Sequence, residues 1–404
     1  MTNEIKNVPE LRFPEFKEGW SKLKLGELAE IVRGSSPRPI SDPRWFDINS
    51  DIGWLRISDV TEQNGKITKL EQKISKDGQK KTRVLHSKHL LLSIAASVGK
   101  PVINYVKTGV HDGFLIFLKP LFDIEFMYQW LDAYRPKWKK YGQPGSQVNL
   151  NSELVKSQKI YMPHSVEQKK ISDFFSKLDR QIELEEQKLA KLEEQKKGYM
   201  QKIFSQELRF RDDNGNDYPN WENEKLGDLI NEVNERTTSN NQYVLLSSTK
   251  NGLLSQEEYF KKQIGSKDST GYKILRLNQL VLSPQNLWLG NINFNQRFDI
   301  GIVSPSYRIY NLSHQFDINF AKDLLKTPRY IYEYAQASEQ GASIVRRNLN
   351  LELFYSIKIS LPSIEEQRKI GVFLNKLDKL IRKQYNKIEV LKQRKNGLLQ
   401  RMFI

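Results

Sequence analysis

Residues with chemical potential in this sequence fall into a few groups, and spacing discounts most of them. Glu71-Gln72-Lys73 follows Asp59 by twelve residues, a loose outline of a metal-dependent acidic cluster. Glu194-Gln195-Lys196 is the same triplet inside a helical pattern, so both read as products of a Glu- and Lys-rich composition. His86 and His89 stand three apart without the further ligands of a zinc site, and the five histidines are scattered. Ser304-Pro305-Ser306-Tyr307 approaches the loop that holds a flipped base in amino-methyltransferases, but its second proline is missing. No G-x-G and no G-x-x-x-x-G-K-[ST] occurs to receive a methyl donor or a phosphate, so the tetrad reads as a turn after Ile302–Val303. What remains is a set of donors and acceptors on glycine-containing loops, suited to phosphates and base edges. In the first half these are Arg33, Ser35, Ser36 and Arg38, then Lys100, then Gln143, Ser146, Gln147 and Asn149. In the second half they are Arg236 and Thr237, Asn286 and Asn291, and Arg346 and Arg347. Solvent-facing loops share this composition, so their meaning depends on what positions them.

An internal repeat positions them. At a constant offset of 199, the segment from Asn149 to Phe204 aligns without a gap on Asn348 to Phe403, with 24 of 56 positions identical. A weaker echo opens each half: Trp20 with Lys24–Leu28 matches Trp221 with Lys225–Leu229, and Glu10–Phe13 matches Glu207–Phe210. Between these markers, roughly 30–145 and 231–340, the halves share little. One unit has been duplicated, keeping its frame while its middle diverged.

The shared blocks predict long helices. Pro163 and Pro362 stand ahead of Ser165 and Ser363, the expected N-caps, with Glu167, Glu365 and Glu366 in the first turn. Ile171, Phe175, Leu178, Ile182, Leu189 and Leu192 recur at spacings of three, four and seven, with Glu185 and Lys196 as polar breaks. Ile370, Leu374, Leu377, Ile381, Ile388 and Leu391 repeat the pattern, with Gln384 and Lys395 in the gaps. This narrow seam is that of a coiled coil, and its identical register in two copies favours mutual pairing over separate packing. About 40 residues would make a rod of roughly 60 Å. The variable blocks predict mixed α/β globules. Their strands are expected at Trp54–Val60, Leu90–Ala95, Val102–Val106, Gly113–Leu118, Tyr243–Ser248, Leu280–Leu282 and Ile302–Tyr310, with helices at Ile124–Ala133 and Ile318–Leu325. None of the seven Trp lies in the long helices.

Composition narrows the class. The 404 residues are 38% hydrophobic and 11% aromatic, too rich in both for a disordered chain. Cysteine is absent, which excludes disulfide scaffolds, thiolate metal sites and cysteine nucleophiles. No run approaches the ~18 apolar residues of a membrane helix, and the start lacks a secretory core, so a cytoplasmic protein is expected. The net charge of +16 is patchy. Residues 1–155 carry 24 Lys+Arg against 18 Asp+Glu, residues 206–350 carry 17 against 17, and residues 351–404 carry 12 against 5.

The paired blocks resemble those of the specificity subunits of type I restriction–modification systems. The resemblance rests on Gly145-Ser146-Gln147, Asn149-Leu150-Asn151, Pro163 and Glu167-Gln168-Lys169-Lys170-Ile171, repeated as Gly341-Ala342-Ser343, Asn348-Leu349-Asn350, Pro362 and Glu365-Glu366-Gln367-Arg368-Lys369-Ile370. The first copy departs in having Ser165-Val166 where the second has Ile364-Glu365, which affects the helix cap. The resemblance implies an α+β fold with target-recognition domains at 1–160 and 206–359 and conserved helices at 161–205 and 360–404. The helices would form an antiparallel coiled coil with pseudo-twofold symmetry. It implies a non-catalytic subunit needing no cofactor, metal or membrane, whose domains each read half of a bipartite asymmetric site in double-stranded DNA. The coiled coil would set the spacer and dock two methyltransferase (M) subunits, with restriction (R) subunits completing the complex. On the residues alone, two alternatives stand: a DNA methyltransferase or nuclease with diverged motifs, and a coiled-coil adaptor between proteins.

Overall fold

The structure, a computed structural model, describes residues 7–94, 97–141, 150–250, 252–260, 268–340 and 347–403. It divides into two compact units: Met1–Gln187 with Tyr385–Ile404, and Lys188–Gln384. Each unit therefore holds one variable block and part of each long helix.

In the first unit β1 (Ser21–Lys24), α1 (Leu25–Leu28) and β2 (Glu30–Arg33) lead into β3 (Gly53–Trp54), α2 (Ile57–Glu62), β4 (Lys66–Ile67) and α3 (Lys76–Gln79). Then come β5 (Arg83–Leu85), β6 (His89–Ser93), β7 (Pro101–Asn104), β8 (Thr108–Val110), β9 (Phe114–Leu118) and α4 (Ile124–Tyr134). After these, α5 (Ser152–Lys156) and β10 (Lys159–Met162) precede α6 (Ser165–Phe204). The central sheet has the order β2-β9-β6-β7-β4. Its inner strands β6, β7 and β9 are largely apolar because both faces are covered. Leu90, Leu92, Leu115 and Phe117 join the core under α4, while the alternate residues Leu91, Phe114 and Ile116 join a second core with Leu55 and Val60.

The second unit contains β11 (Glu222–Lys225), α7 (Leu226–Leu229), β12 (Ile230–Val233), β13 (Leu246–Thr249), β14 (Gly252–Ser255), α8 (Gln256–Phe260) and β15 (Lys273–Arg276). It continues through β16 (Leu280–Leu282), β17 (Ile292–Phe294), β18 (Ile300–Val303), β19 (Arg308–Leu312), α9 (Ile318–Leu324) and α10 (Pro328–Gln336). β20 (Ser338–Gln340), β21 (Arg347–Leu349), α11 (Leu351–Ser356), β22 (Lys358–Leu361) and α12 (Ile364–Met402) complete it. Its sheet order β12-β19-β16-β17 reproduces β2-β9-β6-β7 strand for strand. The variable blocks thus share a fold that their sequences do not display.

Three local expectations need correction. Of Trp54–Val60, only Trp54 is strand; Arg56 turns the chain into α2, its N–H donating to Asp59 Oδ2 at 2.8 Å. Ile302–Tyr310 is two strands, because Tyr307 N–H donates back to the Ser304 carbonyl at 3.0 Å and makes the Ser304–Tyr307 stretch a turn. Ser363 does precede α12, with Glu366 N–H donating to its Oγ at 3.4 Å, but Ser165 is itself the first residue of α6.

The shared motifs act as a latch at the start of each long helix. Glu167 is buried, and Arg12 donates to it through Nε and Nη2, both at 2.7 Å, while Trp20 Nε1 donates at 3.2 Å. Glu366 takes the same three contacts from Arg209 at 2.8 and 2.8 Å and from Trp221 at 3.2 Å. Gln168 accepts from Asp123 N–H, ahead of α4, at 2.9 Å and donates to the Pro163 carbonyl at 2.9 Å. Gln367 does likewise with Asp317 and Pro362 at 2.8 and 2.9 Å. Asn151 and Asn350 accept from the N–H groups of Leu154 and Leu353, capping α5 and α11.

Within each unit α6 and α12 run antiparallel. In the first, Phe175 stacks on Phe403 at 6.0 Å and Asp179 pairs with Lys395 at 2.7 Å. In the second, Tyr199 packs on Phe373 at 5.1 Å and Lys196 pairs with Asp378 at 2.7 Å. Ile171, Phe175, Ile182, Ile370, Leu374 and Ile388 are buried; Leu178, Leu189, Leu192, Leu377, Ile381 and Leu391 are half-buried. The offset of 199 maps one ion pair onto the other. Asp179 also accepts from Lys66 and Gln129, each at 3.0 Å, and Asp378 from Lys322 at 2.8 Å, so each aspartate ties a long helix to its globule.

Burial pushes the Asp179 carboxyl up, but the charges of Lys395 and Lys66 outweigh it and hold it below the usual aspartate value. Asp378 is held low in the same way by Lys196 and Lys322 against its burial. Depressed carboxylates stabilise the fold fully above their unfolded pKa of ~3.9 and lose that contribution as pH falls through the folded value. Chemical denaturation should therefore show stability dropping below about pH 4, less steeply in the double variant Asp179→Asn/Asp378→Asn. Glu167→Ala, which strands a largely buried arginine, should cost about 3–5 kcal/mol by the same measurement.

Candidate nucleic-acid interface

Antiparallel pairing dictates where the donor-rich loops go. In the first unit β2 ends at Arg33 opposite Leu115, β9 begins at Phe114 opposite Ser93, and β7 begins at Pro101 opposite Leu92. The Arg33–Arg38 loop, the β8–β9 turn at His111–Gly113 and the β6–β7 loop with Ser97–Lys100 must therefore share one end of the sheet. In the second unit Val233 faces Ile309, and Leu282 faces both Arg308 and Ile292. The same rule gathers Arg236–Thr237, the Ser304–Tyr307 turn and the Asn286–Asn291 loop.

Asp112 organises the end of the first unit. Its Oδ2 accepts from Arg38 Nη2 at 2.6 Å, its Oδ1 from Ser36 Oγ at 2.8 Å, and its carbonyl from Arg33 Nε at 2.6 Å. Ser35 donates its N–H to Val110, and its carbonyl accepts from Thr82 Oγ1 at 2.6 Å. Gly34 passes so close to the turn that a Cβ would sit 2.2 Å from the His111 carbonyl oxygen. Lys100 donates to Asn64 Oδ1 at 3.0 Å, and its ammonium pKa is lowered by burial and by the charge of Arg135. Beneath this loop Gly99, at φ +77°, lies against the Trp138 ring.

The end of the second unit has different furniture. Arg236 Nη1 donates to the Gly271 carbonyl at 2.9 Å. Arg276 makes a two-point contact with Glu235 at 2.6 and 3.0 Å, and Arg308 donates to Glu232 at 2.6 Å. Thr237 is buried with its hydroxyl donating to the Ser269 carbonyl at 2.8 Å, and Asn291 is buried against Ser248. These two shape the loops from within. Asn286 lies on the turn of Pro284–Leu289, and Arg347 lays its guanidinium 4.3 Å from the centre of the Trp288 ring of that same turn. The fold thus brings the start of β21 onto a loop about sixty residues earlier in the sequence.

The remaining sequence candidates are dispersed. Asp59 caps α2 and pairs with Arg56 at 2.8 Å, while Glu71 is exposed beside Lys69. His89 places Nδ1 2.9 Å from the Ser87 carbonyl. Among the described residues no three His, Asp or Glu side chains gather as a metal site, and no helix is long and apolar enough to cross a membrane. Gln143, Ser146, Gln147, Asn149 and Arg346 lie outside the described residues.

The family model of the type I restriction modification DNA specificity domain matches this chain twice, over residues 17–194 and 218–392. The chain belongs to that family. With two such domains in tandem it is a DNA-recognition subunit. It is similar in fold to the type I restriction–modification S subunit from M. genitalium, with a TM-score of 0.56 and 15% identity over 98% of this chain and 99% of that one. A chain from work on complex assembly and conformational transition of the type I R-M system also matches, with a TM-score of 0.56 and 15% identity over 95% and 97% of the two chains.

In this specificity subunit, sequence reasoning gathered Arg33, Ser36 and Arg38 but missed the residue that holds them. The signal was present: His111-Asp112-Gly113 separates two strand-like runs, and a short Asp-Gly turn between strands is a place for a fixed side chain. Arg276 and Arg308 were missed because nothing in strand periodicity marks an arginine at a strand end. Gly34→Ala should lower stability by about 1–3 kcal/mol and weaken duplex binding in gel shifts. Gly198→Ala, whose added Cβ meets nothing within 4 Å, should stabilise its helix by up to about 1 kcal/mol and leave binding unchanged.

Proposed function

We propose that each unit reads one half of a bipartite, asymmetric site in double-stranded DNA, using the loops at the shared end of its sheet. The observation that carries this reading is the duplicated frame with unlike loops: β2-β9-β6-β7 and β12-β19-β16-β17 have one topology and present different side chains. Such a frame lets recognition change while the surfaces that dock partners stay constant. The paired helices set the unread spacer and dock two methyltransferase (M) subunits, which supply the chemistry of base modification. Restriction (R) subunits add cleavage, and the subunit itself contributes address rather than catalysis. It works in the cytoplasm, where its DNA and partners are. Of the sequence candidates, Arg33, Ser35, Ser36, Arg38, Lys100, Arg236, Asn286 and Arg347 contact DNA, with Thr237 and Asn291 supporting their loops.

Charge fits this division. Residues 206–350 are electrically neutral, which suits base readout by placed donors and acceptors, while salt-dependent affinity comes from phosphate contacts elsewhere. Lys100 is suited to such a contact, since a phosphate would relieve the depression of its pKa.

The test is a methylation map of DNA modified by the full complex. Inserting four residues, about one turn, into both α6 and α12 should lengthen the spacer and leave the half-site bases unchanged; altered half-sites would refute the ruler. Lys100→Ala should weaken binding equally across sequences and reduce the salt slope by about one.

A further inference from the structure

Among the described arginines that a carboxylate holds at these sheet ends, Arg38 is the most exposed. Its side chain is 71% exposed, yet one corner of the guanidinium is fixed by Asp112 at 2.6 Å. Arg276, by contrast, has its Nε–Nη2 edge fully engaged by Glu235, and Arg308 is 29% exposed against Glu232. Asp112 is itself fixed. Its Oδ1 accepts from Ser36, its N–H donates to the same Oγ at 3.3 Å, and the turn is braced by Gly113 N–H donating to His111 Nδ1 at 2.9 Å. Partial burial pushes the Asp112 carboxyl up, but the Ser36 hydrogen bond and the charge of Arg38 outweigh it, so it stays ionised at neutral pH.

A phosphate contact needs charge and little else, and a neighbouring carboxylate weakens it. Tethering a guanidinium to a carboxylate gives up attraction and gains direction. Direction matters for a planar two-point acceptor, and in the major groove that acceptor is guanine, through O6 and N7. Resting on the reading that the first unit binds a half-site, we propose that Arg38 reads a guanine there, with Asp112 as the positioning residue that fixes its plane.

The experiment uses the full-length chain assembled with methyltransferase subunits and selects from a library of randomised duplexes, followed by salt titration on the best duplex. Arg38→Ala and Arg38→Lys should lose preference for G at one position by roughly 5- to 100-fold, with the rest of the motif and the salt slope intact. Asp112→Asn should relax the same position by a smaller factor with its melting temperature unchanged. If Asp112→Asn does not fold, Ser36→Ala, which removes the Oδ1 contact, should relax that position instead. Uniform weakening by Arg38→Ala with a flatter salt slope would make it a phosphate contact and overturn the proposal. So would a relaxed position that is not a G·C pair. Full readout retained in Asp112→Asn would remove Asp112 from its role. A wild-type assembly that enriches no bipartite motif would overturn the half-site reading itself, and this inference with it.

Discussion

A carboxylate buried at the start of each long helix is the constraint from which the rest follows. Glu167 and Glu366 accept from an arginine and a tryptophan that come from the opening strand region of the same unit, some 150 residues earlier. Such a group is tolerated in a core only when fully paired, so once the glutamate is present the partners and their positions are fixed with it. The glutamine beside it anchors the chain entering α4 or α9. One short string of sequence thereby ties three segments to the base of a long helix. That explains why the string is repeated where most of the intervening sequence is not.

With the base fixed, the far end of each sheet is released to vary. Strands β6 and β9, like β16 and β19, need only apolar residues on both faces, and many sequences satisfy that. The loops at the open end carry no such requirement beyond local closure, as at Gly34 under His111. Unequal constraint at the two ends of one sheet is the physical basis for a conserved frame and a changeable reading surface.

The helix seam adds a second kind of specification. Apolar positions such as Ile171 and Leu374 favour pairing without dictating the alignment, whereas Asp179–Lys395 and its repeat-mate Asp378–Lys196 are satisfied in one register. Each aspartate also takes a lysine from its globule, so helix alignment and domain placement on the helix are set by the same side chain.

The repeat, both long helices, the seam residues and the family were legible in the amino-acid pattern, because these depend on patterns that persist over tens of residues. The sequence also located β6, β7, β9, β16, α4 and α9, whose apolar runs have little alternative use. Trp54–Val60 misled, since an apolar run broken by Arg56 and Asp59 can close a helix cap that strand periodicity does not register. That the two dissimilar middles share one topology emerges from the folded chain, since core packing accepts many apolar choices and leaves no common spelling. The tertiary structure alone decided that Asp112 gathers Arg33, Ser36 and Arg38, and that Arg347 meets Trp288. Those meetings are made by strand order, and strand order is a long-range property that no local stretch of residues encodes.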